Sequence, residues 1–138
     1  MIKHNYFQRK NLKKISGYTE TKFVDCYEIY PNSIEECKNI IEVAKKNQLS
    51  ICNKGNGLSY SDLITNEDNI VLNLNKLNKI LNWNKSSGII EVESGVSFGQ
   101  IFNICMIDNW ILSSCPGSMD ITVGGAISNN VHGKDSYK

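Results

Sequence analysis

The chain has 138 residues and a formal net charge of +1, with 41% hydrophobic and 21% charged residues. That length suits one domain with a buried core, and the evenly mixed charges lack the concentrated basic face that nucleic-acid binding requires. No apolar run approaches a membrane span, no secretory signal is visible at the basic N-terminus, and the odd set of five cysteines, without CxxC spacing, reads as reduced thiols of a cytoplasmic protein.

Residues 1–11, in the basic run KHNYFQRKNLKK, read as a solvated arm; the domain proper then covers 12–138. VDCYEIY, residues 24–30, is a strand. Ser33 and Glu36 form a capping box that opens a helix, whose apolar face is Cys37, Ile40, Ile41 and Ala44. Lys45 and Lys46 in its last turn suit the helix dipole. LSICN (49–53) is a short strand, KGNGLSYSD a loop, NIVLNL (69–74) a strand and KILNWN (79–84) a further strand. SSG at 86–88 turns into IIEVESG, where Ile90 and Val92 alternate with Glu91 and Glu93 as in a half-buried strand. Ser97 and Gln100 make a second capping box; the helix runs to about Ile107, with Phe98, Ile101, Phe102 and Cys105 inward. Trp83, Trp110, Phe98 and Phe102 read as core, and four of the five cysteines fall in segments read as buried. The order β-α-β-loop-β-β-β-α is an α+β pattern.

Two glycine-bearing loops stand out. The first, Asn53-Lys54-Gly55-Asn56-Gly57-Leu58-Ser59-Tyr60, follows a strand but fails the dinucleotide fingerprint GxGxxG, because Tyr60 stands at the third glycine. Closely spaced glycines still let successive N–H groups converge on a phosphate; a plain turn is the simpler alternative. The second runs from Cys115-Pro116-Gly117 to Thr122-Val123-Gly124-Gly125-Ala126 and on to Asn129, Asn130 and His132. Its paired glycines imply that another segment, or a flat ligand, comes close to the backbone. The two histidines, His4 and His132, lie at opposite ends without cysteine partners at ligand spacing, which disfavours zinc.

Taken together, P-x-S-x-E-E, KGNGLSYSD, IVLNL with Leu77-Asn78, IIEVESGVSFGQI and CPGSMDITVGGAISNNVHGK resemble the PCMH-type FAD-binding domain of the vanillyl-alcohol-oxidase family. Within it they look most like the branch of sugar-lactone oxidases and decaprenylphosphoryl-ribose oxidase. The resemblance implies an N-terminal βαβ-type subdomain plus the start of a second, with the rest of the flavin domain and a substrate domain expected beyond this segment. It places FAD on Asn53, Lys54, Gly55, Asn56, Gly57, Leu58 and Ser59, with Tyr60 beside them, and on Pro116, Gly117, Thr122, Val123, Gly124 and Gly125. Ser128, Asn129, His132 and Gly133 fall near the flavin, and Lys134 on the substrate side. Leu58 stands where many members carry a histidine, so attachment is expected to be non-covalent. Lys54 replaces the usual arginine and keeps charge without the bidentate fork. The implied activity is oxidation of a CH–OH group of a small sugar-like substrate by hydride transfer to flavin, with oxygen or another acceptor taking the electrons and the base lying elsewhere. A non-catalytic nucleotide-binding remnant is the alternative.

Overall fold

The structure is a computed structural model, and it describes residues 6–133. The chain forms two compact units, Met1–Lys76 and Leu77–Lys138.

In the first unit a four-stranded sheet has the order β1-β2-β4-β3, formed by β1 (Lys13–Ser16), β2 (Phe23–Ile29), β3 (Ile51–Lys54) and β4 (Ile70–Asn73). β1 runs antiparallel to β2; β2, β4 and β3 are mutually parallel, with Ile29, Leu72 and Asn53 in line. The helix α1 (Ile34–Lys46) connects β2 to β3, a βαβ crossover. It starts where expected: the Ser33 hydroxyl accepts the Glu36 N–H at 3.1 Å. The Glu36 carboxylate reaches back to the N–H of Asn32, one residue before the cap. Ile40 and Ala44 on α1 close a core with Tyr27, Ile29, Ile70 and Leu72. Ile41, expected on the same face, is exposed, because it lies at the margin of a face that only the i, i+4 pair fills.

Residues 6–11 correct the expectation of a solvated arm. Tyr6, Phe7 and Leu12 pack against this core, and Phe7 meets Tyr27 edge to face at 5.2 Å. Two aromatic rings placed beside an uncovered core outweigh the basic residues around them. Those residues take the exposed turn Arg9–Asn11.

The second unit opens with the hairpin of β5 (Ile80–Asn84) and β6 (Ile89–Val92), turned by Gly88 at φ +68°, where an added Cβ would strike the Trp110 ring. The helix α2 (Phe98–Ile107) carries the complete capping box between Ser97 and Gln100. Val96, Ile101 and Cys105 are the buried centre, with Trp83, Ile90 and Val92 packed around them. Trp110 is less buried than expected, remaining 38% exposed; its indole N–H donates to the Lys85 carbonyl at 2.8 Å. A short helix, α3 (Val123–Ser128), replaces the loop read around the paired glycines. The thiols also depart from expectation: Cys26 and Cys105 are buried, and the other three are partly exposed. Among the described residues no helix is long and apolar enough to cross a membrane.

Candidate cofactor site

The carboxyl ends of parallel strands are where open α/β sheets receive ligands. In the first unit β3 ends at Lys54, and the chain passes directly into Gly55–Ser61 at that edge. Gly57 sits at φ +75°, with Lys54 Cε 3.4 Å and Ile64 Cδ1 3.5 Å from where a Cβ would lie. The tip of the β1–β2 hairpin holds the loop from outside. The Tyr18 N–H donates to the Ser59 carbonyl at 3.3 Å, and the Thr19 hydroxyl to the Tyr60 carbonyl at 3.4 Å. The Tyr18 and Tyr60 rings meet edge to face at 5.9 Å. Among the described residues, the N–H groups of Gly57, Leu58 and Ser59 donate to no backbone carbonyl. Successive amides with this freedom suit an anion such as a diphosphate.

Beneath the loop lies a polar cluster that the sequence reading missed. Strand alternation puts Glu28, Tyr30, Lys54 and Asn73 on the sheet face opposite α1, while Asn53 falls on the α1 face, in register with Leu72. Glu28 is buried, only 6% exposed. Its Oε1 accepts from Lys54 Nζ at 3.0 Å and from Asn73 Nδ2 at 3.0 Å. Burial alone would raise the Glu28 pKa, but hydrogen bonds from Asn73, Tyr30 and Lys54 outweigh it and hold the carboxyl below the usual glutamate range. Burial, then the bond to Glu28, pushes the Tyr30 phenol up to about 12. Burial, followed by the Glu28 charge, pushes the Cys26 thiol up to about 11. A signal was present: Val24, Cys26 and Glu28 share one face of β2, and a carboxylate in such an apolar stripe implies a partner.

In the second unit Thr122 caps α3, its hydroxyl accepting the Gly125 N–H at 3.2 Å. Gly124 is a place of close packing: an added Cβ would lie 2.9 Å from Ser94 Cβ and 3.0 Å from Ser94 O, and the Gly124 N–H donates to that carbonyl at 2.8 Å. A segment of the chain itself thus accounts for this glycine. Val123 donates its N–H to the Val96 carbonyl at 2.8 Å. Ser128 and Asn129 both turn back to the Gly125 carbonyl, at 3.1 and 2.9 Å. Gly133 lies against Ser114 and Cys115, where a side chain would collide with the Cys115 backbone; this brings the end of the second motif onto its Pro-Gly turn. Among the described residues, Gly117 beside Pro116 has no heavy atom within 4 Å of a would-be Cβ, the open counterpart to Gly124. His132 is exposed, and Lys134 lies outside the described residues.

A diphosphate-bearing cofactor fits the loop of the first unit on one observation: the Gly57, Leu58 and Ser59 amides at the strand ends, which among the described residues donate to no backbone carbonyl.

Residues 27–138 match the family described as FAD binding domain. Decaprenylphosphoryl-beta-D-ribose oxidase of Mycolicibacterium smegmatis is 28% identical over 98 residues, 71% of this chain and 21% of that protein. L-gulonolactone oxidase of Scyliorhinus torazame is 31% identical over 102 residues, 74% of this chain and 23% of that protein. Among solved structures, cholesterol oxidase from B. sterolicum superposes with a TM-score of 0.77 at 16% identity, over 88% of this chain and 24% of that one. The chain thus spans about a fifth of the length of these curated relatives. The fold is the α+β, PCMH-type arrangement and the cofactor is FAD; the chain belongs to the FAD binding domain family.

Proposed function

We propose that this chain is the FAD-binding portion of an oxidoreductase that oxidises a CH–OH group of a sugar or sugar-derived alcohol. The observation that carries this reading is the glycine loop at the carboxyl end of β3, where the amides of Gly57, Leu58 and Ser59 donate, among the described residues, to no backbone carbonyl, in a family whose similar members include oxidases named for ribose and lactone substrates. Residues 12–138 form the flavin domain, preceded by the segment 1–11.

Bound FAD supplies the acceptor for a hydride from the carbinol carbon. The chain's own part is to hold and orient it. The Gly55–Ser59 amides meet the diphosphate with dipoles, and the left-handed turn at Gly57 aims them. Gly117 lets the backbone come against the cofactor, while Thr122, by capping α3, fixes the entry of Val123 to Gly125. The resemblance assigns His132 and Gly133 to the flavin side. Leu58 offers no nucleophile, so FAD is held without a covalent bond. All five thiols are free, which agrees with a reducing compartment.

The full-length protein, purified with FAD, is mixed anaerobically with aldonolactones, aldoses and simple alcohols while flavin absorbance is followed. Bleaching by the sugar-derived donors supports the assignment. A protein that retains FAD and is bleached by none of them contradicts the substrate class. A chain that binds adenine nucleotides but never flavin is the non-catalytic remnant instead.

A further inference from the structure

We infer that Lys54 is a positioning residue, a strut locked to buried Glu28 beneath the glycine loop, and that it does not itself grip the FAD diphosphate. The inference rests on the FAD assignment above only for its ligand; the strut itself is a property of the chain.

Lys54 is the cation nearest the loop in sequence and the natural candidate to meet a diphosphate. Its geometry directs it elsewhere. Strand alternation turns it under the sheet edge, and its ammonium lies 3.0 Å from Glu28 Oε1. The two side chains are 19% and 7% exposed. Asn73 donates to the same carboxylate oxygen. A carboxylate with these partners at this depth has a strong hold on its cation, because releasing Lys54 leaves a buried charge uncompensated. The Lys54 stem is also in place as packing. Its Cε lies 3.4 Å from the position of a Cβ on Gly57, beside Ile64 Cδ1. The lysine therefore supports the left-handed turn from below, while Tyr18 and Thr19 hold Ser59 and Tyr60 from outside. The pair is neutral overall, so the diphosphate meets dipoles and no net charge from this side.

The test is a double-mutant cycle on the full chain with Glu28→Gln, Lys54→Met and the double variant, read by thermal unfolding and by quenching of FAD fluorescence. Lys54→Met is expected to lower the melting temperature by roughly 10 °C or more and to weaken FAD binding, since it leaves Glu28 unpaired. The double variant is expected to regain most of that stability and to bind FAD within about threefold of the parent. Glu28→Gln, which keeps the shape and frees the ammonium, is expected not to tighten FAD binding. If Lys54 instead grips phosphate, Glu28→Gln tightens binding, and the double variant, though stable, loses about tenfold or more; either result overturns the proposal. Additive effects of the two single changes on unfolding overturn it too. Should Lys54→Met not fold, the double variant and Glu28→Gln give the same decision. If the parent chain takes up no FAD, the cofactor assignment fails, while the unfolding cycle still decides whether the strut exists.

Discussion

Gly57 shows how one residue links sequence to site. Its φ of +75° is reached by few L side chains, yet the space beside it is ordinary, with neighbours at 3.4 and 3.5 Å. Gly57→Ala is therefore a test of backbone strain rather than of collision. It should cost about 1–2 kcal/mol, read as a lower urea midpoint with an unchanged denaturant slope, and should weaken FAD binding with it. Glu28 gives the second residue-level prediction. Its folded-state pKa is below its ordinary value of 4.5, so its stabilisation is complete above that range and is lost as pH falls through the lowered value. Acid titration of the melting temperature should show this loss, and Glu28→Gln should flatten that limb. These two residues differed in how plainly the sequence announced them. Gly57 was legible as a loop glycine, because paired glycines after a strand mark a turn, but spacing alone left a plain turn as the simpler reading. Glu28 was passed over, because its meaning lies in Lys54 and Asn73, 26 and 45 residues away.

At the level of elements, capping chemistry was readable and glycine-rich helix was not. Both Ser33 and Ser97 start helices as their sequence spacing foretold, since a hydroxyl three residues before its N–H partner is a local event. Ser97→Ala should destabilise the chain by about 1 kcal/mol, measured by urea denaturation, because the Gln100 N–H loses the hydroxyl that accepts it, while the reciprocal bond from the N–H of residue 97 to the Gln100 side chain stays available. α3 escaped notice for a physical reason. Two glycines cost a helix about 2 kcal/mol in propensity relative to alanine, and only the approach to Ser94, with the Gly124 N–H on its carbonyl, makes them the right residues. The segment from Tyr6 to Leu12 was misread in the opposite sense: its charges were visible, but the uncovered face of the Tyr27 core was not.

At the scale of the molecule, the strand and helix periods disclosed the α+β order of elements and the resemblance implied the βαβ-type subdomain; the sheet and the family match over residues 27–138 agree with both. The order β1-β2-β4-β3 was not legible, because pairing across distant strands leaves no local period. The first unit carries a loop of amides over a neutral ion pair; the second carries, among the described residues, an open backbone at Gly117 and a tightly packed one at Gly124. The central claim is that this chain holds FAD, and an equilibrium titration of the purified protein with FAD, followed by flavin fluorescence and then gel filtration, tests it most directly. The account predicts saturable quenching, a yellow protein peak, and release of all flavin into the supernatant on acid precipitation. Fluorescence that stays that of free FAD throughout, with a colourless protein peak, would contradict it.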